Sequence, residues 1–387
     1  MTKVKRIALF LDGTWNNVTD NTNVWRMKSL CTKSPEQLVY YSAGVGTQSG
    51  EKLKGGMFGI GINKEVVDAY EWLIEHYEPN AKVFIFGFSR GAFTARSLAG
   101  FISECGLLKA GSPVSLNQLY ERYRKGNTVK SVRALGNVLD ISTLPIEDKW
   151  IKIYSRPIPI WFQGVWDTVG ALGVPLPFFP KVSRSSFAFL ETDLRINDTH
   201  AYHALAIDEH RETIAPTLWK KSTKKQGDNF SARTLDAVEQ RWFVGAHANV
   251  GGGYKSDLLP QIPLNWLMNK AISHGLTFKD NVVIDGDENS CPICDSYAEM
   301  LNGIYKAYKT LTCAGDYYRP IGIEPIDTID VVITNINETI DVSVFERWRK
   351  DEAYRPQNLS DWANRRKVDV STLTKSVRAD DLTAVPD

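Results

Sequence analysis

Gly87-Phe88-Ser89-Arg90-Gly91 sets a serine between two glycines, and its surroundings decide whether that serine can do chemistry. Val83-Phe84-Ile85-Phe86 before it is a short apolar run that reads as a buried strand, while Phe93, Leu98, Phe101 and Ile102 after it suggest a helix. A strand that stops, turns sharply and becomes a helix lifts a serine hydroxyl clear of a sheet. Glycines at both flanks admit the strained backbone and the close helix–strand packing of such a turn. A serine hydroxyl is inert at neutral pH until a histidine takes its proton and an acid orients that histidine. The chemistry to test for is therefore acyl transfer through a Ser–His–Asp set.

Six histidines are available. His76 falls on an apolar stripe with helical spacing over 64–77. His200, His203 and His210 lie in a stretch that reads as helical with many polar neighbours, and His274 precedes the helix-ending Gly275. Only His247 follows an apolar run, Trp242-Phe243-Val244, and opens a glycine loop, Gly251-Gly252-Gly253. That pattern predicts a place at the carboxyl edge of a sheet, where sites on open α/β sheets form. Asp167 ends the run Ile160–Trp166 and lies between Ser89 and His247, which gives the chain order Ser, Asp, His expected of α/β-hydrolases. Its alternative role is to cap a helix beginning at Thr168.

Asp12-Gly13-Thr14, after Ile7–Leu11, resembles part of the DxDGT motif of phosphohydrolases, but the nucleophile position is occupied by Phe10 and a phenyl ring cannot attack phosphorus. A backbone N–H from this loop, that of Gly13, instead pairs with that of Arg90 as an expected oxyanion hole. Asp12 has three open roles: support for His247, support for the loop, or an Asx-turn. Gly55 to Gly61 is too irregular for a dinucleotide fingerprint and reads as a loop at the site rim. No GxxxxGK occurs.

The elements that must position these groups alternate. Apolar runs at Ile7–Leu11, Leu38–Tyr41, Val83–Phe86, Ile160–Trp166 and Trp242–Val244 are separated by helical patterns, including one from Pro263 to Gly275. Continuous apolarity over a short run is what a parallel strand covered on both faces requires. The expected fold is α/β: an α/β-hydrolase-like, mostly parallel sheet flanked by helices, as one domain over residues 1–387. Cap-like insertions are expected at about 109–150, 170–190 and 216–234. Leu172, Val174, Leu176, Phe178 and Phe179 in the second insertion would form an apolar rim near the proposed acid, or pack internally. In the third, Lys220, Lys221, Lys224, Lys225 and Arg233 are offset only by Asp228; a solvated loop is the simpler reading and contact with an anionic surface the sharper one. Beyond about residue 277 the periodicity weakens, and the last twenty residues are polar enough to fray.

Composition narrows the partners. With 46 Lys and Arg against 45 Asp and Glu, the formal charge is +1, and no long-range field steers a phosphate backbone, so nucleic acid is not expected as a partner. No apolar run approaches the roughly 18 residues of a membrane-spanning helix. The N-terminal apolar stretch is too short for a secretory signal and reads as a first strand, so the chain is expected in the cytoplasm when made. Five cysteines at 31, 105, 291, 294 and 313 form no disulfide framework, and Cys291-Pro-Ile-Cys294 lacks the second pair a zinc site needs. No cofactor and no metal is expected.

The segments FLDGTWNN (10–17), YYSAGVGT (40–47), FGFSRGAFTAR (86–96), GVWDTVGALG (164–173), HALAIDEHR (203–211), WFVGAHANVGGGY (242–254) and YRPQNL (354–359) together resemble the catalytic domain of the type VI secretion phospholipase effectors, family one. The likeness runs in order from about residue 5 to about 360. It implies an antibacterial effector: a phospholipase A-type serine esterase that cleaves acyl esters of membrane phospholipids through a triad at Ser89, Asp167 and His247. It also implies a phospholipid or membrane surface as substrate and export by a specialised secretion system or peripheral action on membranes. The family's usual Asp two residues after the His is Asn249 here, a candidate support for His247.

Overall fold

The computed structural model describes residues 4–13, 21–44, 57–170, 194, 198–224, 233–255, 257–295, 317–327 and 331–386. Its centre is an eight-stranded sheet built from β1 (Arg6–Leu11), β2 (Gln37–Ser42), β3 (Lys82–Phe88), β4 (Ile160–Trp166), β5 (Asp198–Ala206), β6 (Val238–Phe243), β7 (Glu338–Ile340) and β8 (Val377–Arg378). Across the sheet the order is β8-β7-β6-β5-β4-β3-β1-β2, and every pairing is parallel except the terminal one between β7 and β8.

The helices around it are α1 (Asn23–Leu30), α2 (Met57–His76), α3 (Arg90–Cys105), α4 (Leu116–Arg124), α5 (Val132–Gly136), α6 (Ile146–Tyr154), α7 (His247–Gly251), α8 (Gln261–Ser273), α9 (Val342–Lys350) and α10 (Gln357–Arg366). Both sheet faces are covered, and strand alternation sorts side chains between them. Ile7, Leu9, Val83 and Ile85 face one way, onto Val66, Tyr70 and Leu73 of α2 and onto α3. Ala8, Phe10, Phe84 and Phe86 face the other way, onto Val24 and Met27 of α1 and Leu264, Leu267 and Met268 of α8. A third cluster joins Trp242 and Ile340 to Phe345 of α9 and Leu359 and Trp362 of α10.

The carboxyl ends of the central strands stop together. Leu11 pairs with Gly87, Phe88 with Trp166, and Ala206 with Phe243, so the residues that follow meet at one edge.

Five sequence expectations change. His200 and His203 lie on strand β5, and His210 follows it, rather than on a helix. Of the polar residues in HALAIDEHR, His203, Asp208, Glu209 and Arg211 are buried and bonded to partners. Residues 109–150 carry α4, α5 and the start of α6, and their apolar side chains (Leu119, Tyr123, Val132, Leu135, Leu144) continue the core on the α2–α3 face. In the 216–234 segment Lys220–Lys224 is a strand, paired antiparallel with Val331–Asn335, rather than a loop. The last residues do not fray among those described: β8 completes the sheet, and Val377, Ala379 and Val385 are buried. Gly55 and Gly56 fall outside the described residues, whereas 57–61 form the start of α2 instead of a loop. The apolar segment from Leu172 to Phe179 lies wholly outside them. Among the described residues no helix is long and apolar enough to cross a membrane.

Candidate active site

Ser89 sits between β3 and α3 at φ 58° and ψ −120°, a conformation that L residues avoid. The flanking glycines explain how the chain tolerates it. A Cβ on Gly87 would meet the Gly91 carbonyl oxygen at 2.4 Å, and one on Gly91 would meet the Leu11 carbonyl oxygen at 2.2 Å, so each is excluded by backbone rather than by a movable side chain. The turn presents the Ser89 hydroxyl at the sheet edge, and α3 opens with Arg90 immediately after it.

His247 opens α7 after β6, and its ring spans the gap. Nε2 lies 2.8 Å from Ser89 Oγ, and Nδ1 lies 2.5 Å from Asp167 Oδ2. Phe88 packs against the imidazole with ring centroids 4.7 Å apart. With a carboxylate beside Nδ1, that nitrogen carries the proton and Nε2 is left to accept from the serine. Asp167 ends β4 at φ 38° and is wholly buried. It caps no helix: its backbone N–H donates to the Ala204 carbonyl, and Oδ1 accepts from the Ala206 N–H at 3.1 Å.

Residues that sequence reasoning passed over hold this arrangement. Arg319, fully buried, donates to both oxygens of Asp167, at 2.7 and 3.0 Å. Burial by itself would raise the Asp167 carboxyl, but the Arg319 charge and the His247 hydrogen bond override it and hold the group well below the usual carboxylate range. His203 Nε2 accepts the Thr168 N–H at 3.0 Å and so pins the turn that carries Asp167, with its Nδ1 facing Gln240. Burial, reinforced by nearby Arg96, pushes His203 down to about 3, which keeps it neutral and able to accept.

Three side chains receive the successive N–H groups leading into His247. Asp208 Oδ2 takes that of Gly245 at 2.7 Å, Asn249 Oδ1 that of Ala246 at 3.0 Å, and Glu209 Oε2 that of His247 itself at 3.2 Å. Asn249 thus braces the loop rather than touching the imidazole, and it also donates to Asp257 at 2.8 Å. Burial would raise Glu209, yet the bonds and charge of Arg211 hold it below its ordinary value.

The first-strand loop departs from expectation in one respect. The Gly13 N–H donates to Asp12 Oδ1 at 2.8 Å, so it is turned to its neighbour's carboxylate and not to the position of an oxyanion beside Ser89. Asp12 Oδ2 accepts from Thr22 Oγ1 at 2.6 Å and from Tyr41 OH at 3.1 Å. Of its three open roles, these bonds fit the loop brace with a local Asx-type bond; none of them reaches His247. The N–H groups that follow Gly13 lie outside the described residues.

Asp208 yields a pH prediction. Burial lifts its carboxyl from 3.8 to about 6, against the bonds from Gly245 and Tyr354 OH that favour the ionised form. A raised carboxyl binds its proton more tightly in the folded chain than in the unfolded one. Its contribution to stability is therefore present below about pH 4 and lost as pH rises through about 6. Melting curves should show the wild-type chain losing stability relative to Asp208→Asn across that window. A constant difference between the two would mean that Asp208 is ionised throughout.

Among the described residues no three His, Cys, Asp or Glu side chains are grouped to hold a metal ion, and Cys291 and Cys294 are unbridged thiols. Cys294 instead meets Asn249 through its backbone N–H, 3.2 Å from Oδ1.

A doubly covered, mostly parallel sheet with a Ser–His–Asp set at its carboxyl edge defines a chain of the α/β-hydrolase class. A family model described as the T6SS phospholipase effector Tle1-like catalytic domain matches residues 5–270, and the chain belongs to that family. It is 31% identical over 405 aligned residues to an uncharacterized protein of Saccharomyces cerevisiae, covering 73% of this chain and 59% of the relative. Among solved structures it is similar to an uncharacterized protein from Pseudomonas aeruginosa, with TM-score 0.46, 19% identity, and 81% of this chain and 51% of the other covered. It is also similar to the Tle1 effector bound to the VgrG spike from the type 6 secretion system, with TM-score 0.35, 18% identity, and 65% and 51% covered. The chain thus spans between half and three-fifths of the length of these relatives.

Proposed function

We propose that this chain is a serine hydrolase that cleaves carboxylic acyl esters of membrane phospholipids, of phospholipase A type, with residues 1–387 acting as one α/β-hydrolase unit. One observation carries the reading: a single imidazole bridges a strained serine and a buried carboxylate, at 2.8 and 2.5 Å, between residues 158 and 80 positions apart in the chain. The family's description as phospholipase effectors supports the substrate class. Export by a specialised secretion system, or peripheral action, would bring the chain to such a membrane.

In the reaction Ser89 Oγ attacks the ester carbonyl while His247 Nε2 takes the hydroxyl proton. Asp167 keeps the imidazole in the Nδ1–H tautomer and stabilises the cation that forms. The N–H of Arg90, at the positive end of the sixteen-residue α3, faces the developing oxyanion. His247 then gives its proton to the departing lysolipid oxygen, leaving an acyl-serine. Water, deprotonated by the same nitrogen, attacks the acyl carbonyl, and the proton passes from Nε2 to Ser89 Oγ as the fatty acid leaves.

The test uses two substrates. The chain should be labelled at Ser89 by a fluorophosphonate probe, and it should release fatty acid and lysophospholipid from mixed phospholipid vesicles. Labelling with turnover of a short soluble ester but no release from vesicles would reassign it as a small-ester esterase or thioesterase. Failure to label would remove the serine hydrolase reading.

A further inference from the structure

Arg319 stands where no sequence argument placed a functional residue, and it lies beyond residues 5–270 that match the family model. Its guanidinium is wholly buried, with both terminal nitrogens engaged and Nε left without a hydrogen-bond partner among the described residues. Nη1 donates to Asp167 Oδ1 at 2.7 Å and to the Ala206 carbonyl at 2.8 Å, while Nη2 donates to Asp167 Oδ2 at 3.0 Å and to the Ile214 carbonyl at 2.7 Å. Its own backbone carbonyl is held by Asn358 Nδ2 at 3.1 Å, and the same amide reaches the Ile207 carbonyl at 2.9 Å. That contact gives the YRPQNL segment a structural purpose. It ties the arginine to the end of β5, one strand away from Asp167.

We infer that Arg319 is a positioning residue for the reaction: a bidentate clamp that keeps Asp167 ionised and fixes the plane of its carboxylate so that Oδ2 points at His247 Nδ1. The inference rests on the triad reading proposed above. Two physical arguments lead to it. A carboxylate torsion is broad and roughly two-fold, so a single bond to histidine does not fix the plane, whereas a fork that binds both oxygens does. A wholly buried carboxylate would also rather be protonated than charged unless a partner offsets the lost hydration.

The charged neighbours leave Arg319 as that partner. Asp167 faces His247, Arg319 and His203; His203 is neutral and turned to Thr168. Glu209, the other acid near Arg319, takes three hydrogen bonds from Arg211 and the N–H of His247. Tyr317 also feels the Arg319 charge.

Removing the cation raises the proton affinity of the buried Asp167 carboxylate, which must be ionised to orient His247. Loss of the clamp must therefore move the acid limb of activity to higher pH, a direction set by charge alone. An arginine that only packed would, on removal, lower the amount of folded chain and leave the limb where it was.

The experiment follows fluorophosphonate labelling rates of the full chain from about pH 5 to about pH 9, for wild type, Arg319→Met and Arg319→Lys, with melting curves on the same samples. Labelling needs the triad but no lipid. For Arg319→Met we expect a rate at least about 10-fold lower at neutral pH and an acid limb displaced upward by about one pH unit or more. Arg319→Lys keeps the charge but not the fork; it should keep the limb near its wild-type position and label several-fold more slowly. An unmoved limb in folded Arg319→Met overturns the clamp and leaves the triad standing. If Arg319→Met does not fold, Arg319→Lys decides, because a wild-type rate there overturns the positioning role. A wild-type chain that never labels overturns the triad, and the clamp with it.

Discussion

Ser89→Ala and His247→Ala are each expected to lower ester turnover by about 10⁴-fold or more, and the double variant should be no worse, because the members of a triad act as a unit. The geometry says why neither loss can be made up locally. His247 Nε2 is bonded to Ser89 Oγ, and the five other histidines are placed elsewhere or engaged: His203 is buried with Thr168 and Gln240, His210 with the Tyr317 carbonyl, His76 with the Trp72 carbonyl, and His200 and His274 stack on each other. Folding should survive both changes. Ser89 makes no side-chain cap for α3, and the His247 loop is braced through backbone N–H groups that alanine retains. Initial rates on a soluble ester, with melting curves as control, check the result. A folded single variant that kept more than about a tenth of wild-type turnover would remove that residue from the triad.

The proposed triad was legible in the sequence because each member follows a short, mainly apolar run, and such a run ends at a sheet edge. GFSRG added a glycine pair whose steric reason is local, so the turn could be read without the fold. Arg319 was not legible in this way. It lies in no apolar pattern, between a tyrosine pair and a proline, and only the packing of residues 317–322 against β5 and α10 brings it to Asp167. His203 was misplaced for a related reason. The polar neighbours over 200–210 suggested a helix, whereas the buried polar groups on β5 and just after it are matched by specific partners: Thr168 N–H for His203, and Arg211 for Glu209. Gly13 failed differently. A single loop N–H has nothing in the sequence to say whether it faces a ligand or the carboxylate beside it.

Asp167→Asn carries the second large expected effect, and Arg319 changes its character. With only histidine beside the acid, the exchange would be nearly isosteric. Turnover would fall by roughly 10⁴ through the wrong imidazole tautomer, with the fold unharmed. Here the asparagine NH₂ must point at either a guanidinium or the imidazole N–H, both of them donors, and the buried Arg319 charge loses its counter-ion. Breaking one partner out of a buried pair costs about 3–5 kcal/mol, so the variant should also melt markedly lower than wild type. Adding Arg319→Met to Asp167→Asn removes the stranded charge. It should recover part of the lost stability while recovering none of the turnover, a coupling that two independent sites would not show. Asp12→Asn, which touches Thr22, Tyr41 and the Gly13 N–H but not His247, should reduce turnover far less. Greater damage from Asp12→Asn than from Asp167→Asn would move the orienting acid to the end of the first strand, and the bond from His247 to Asp167 would then have to be structural.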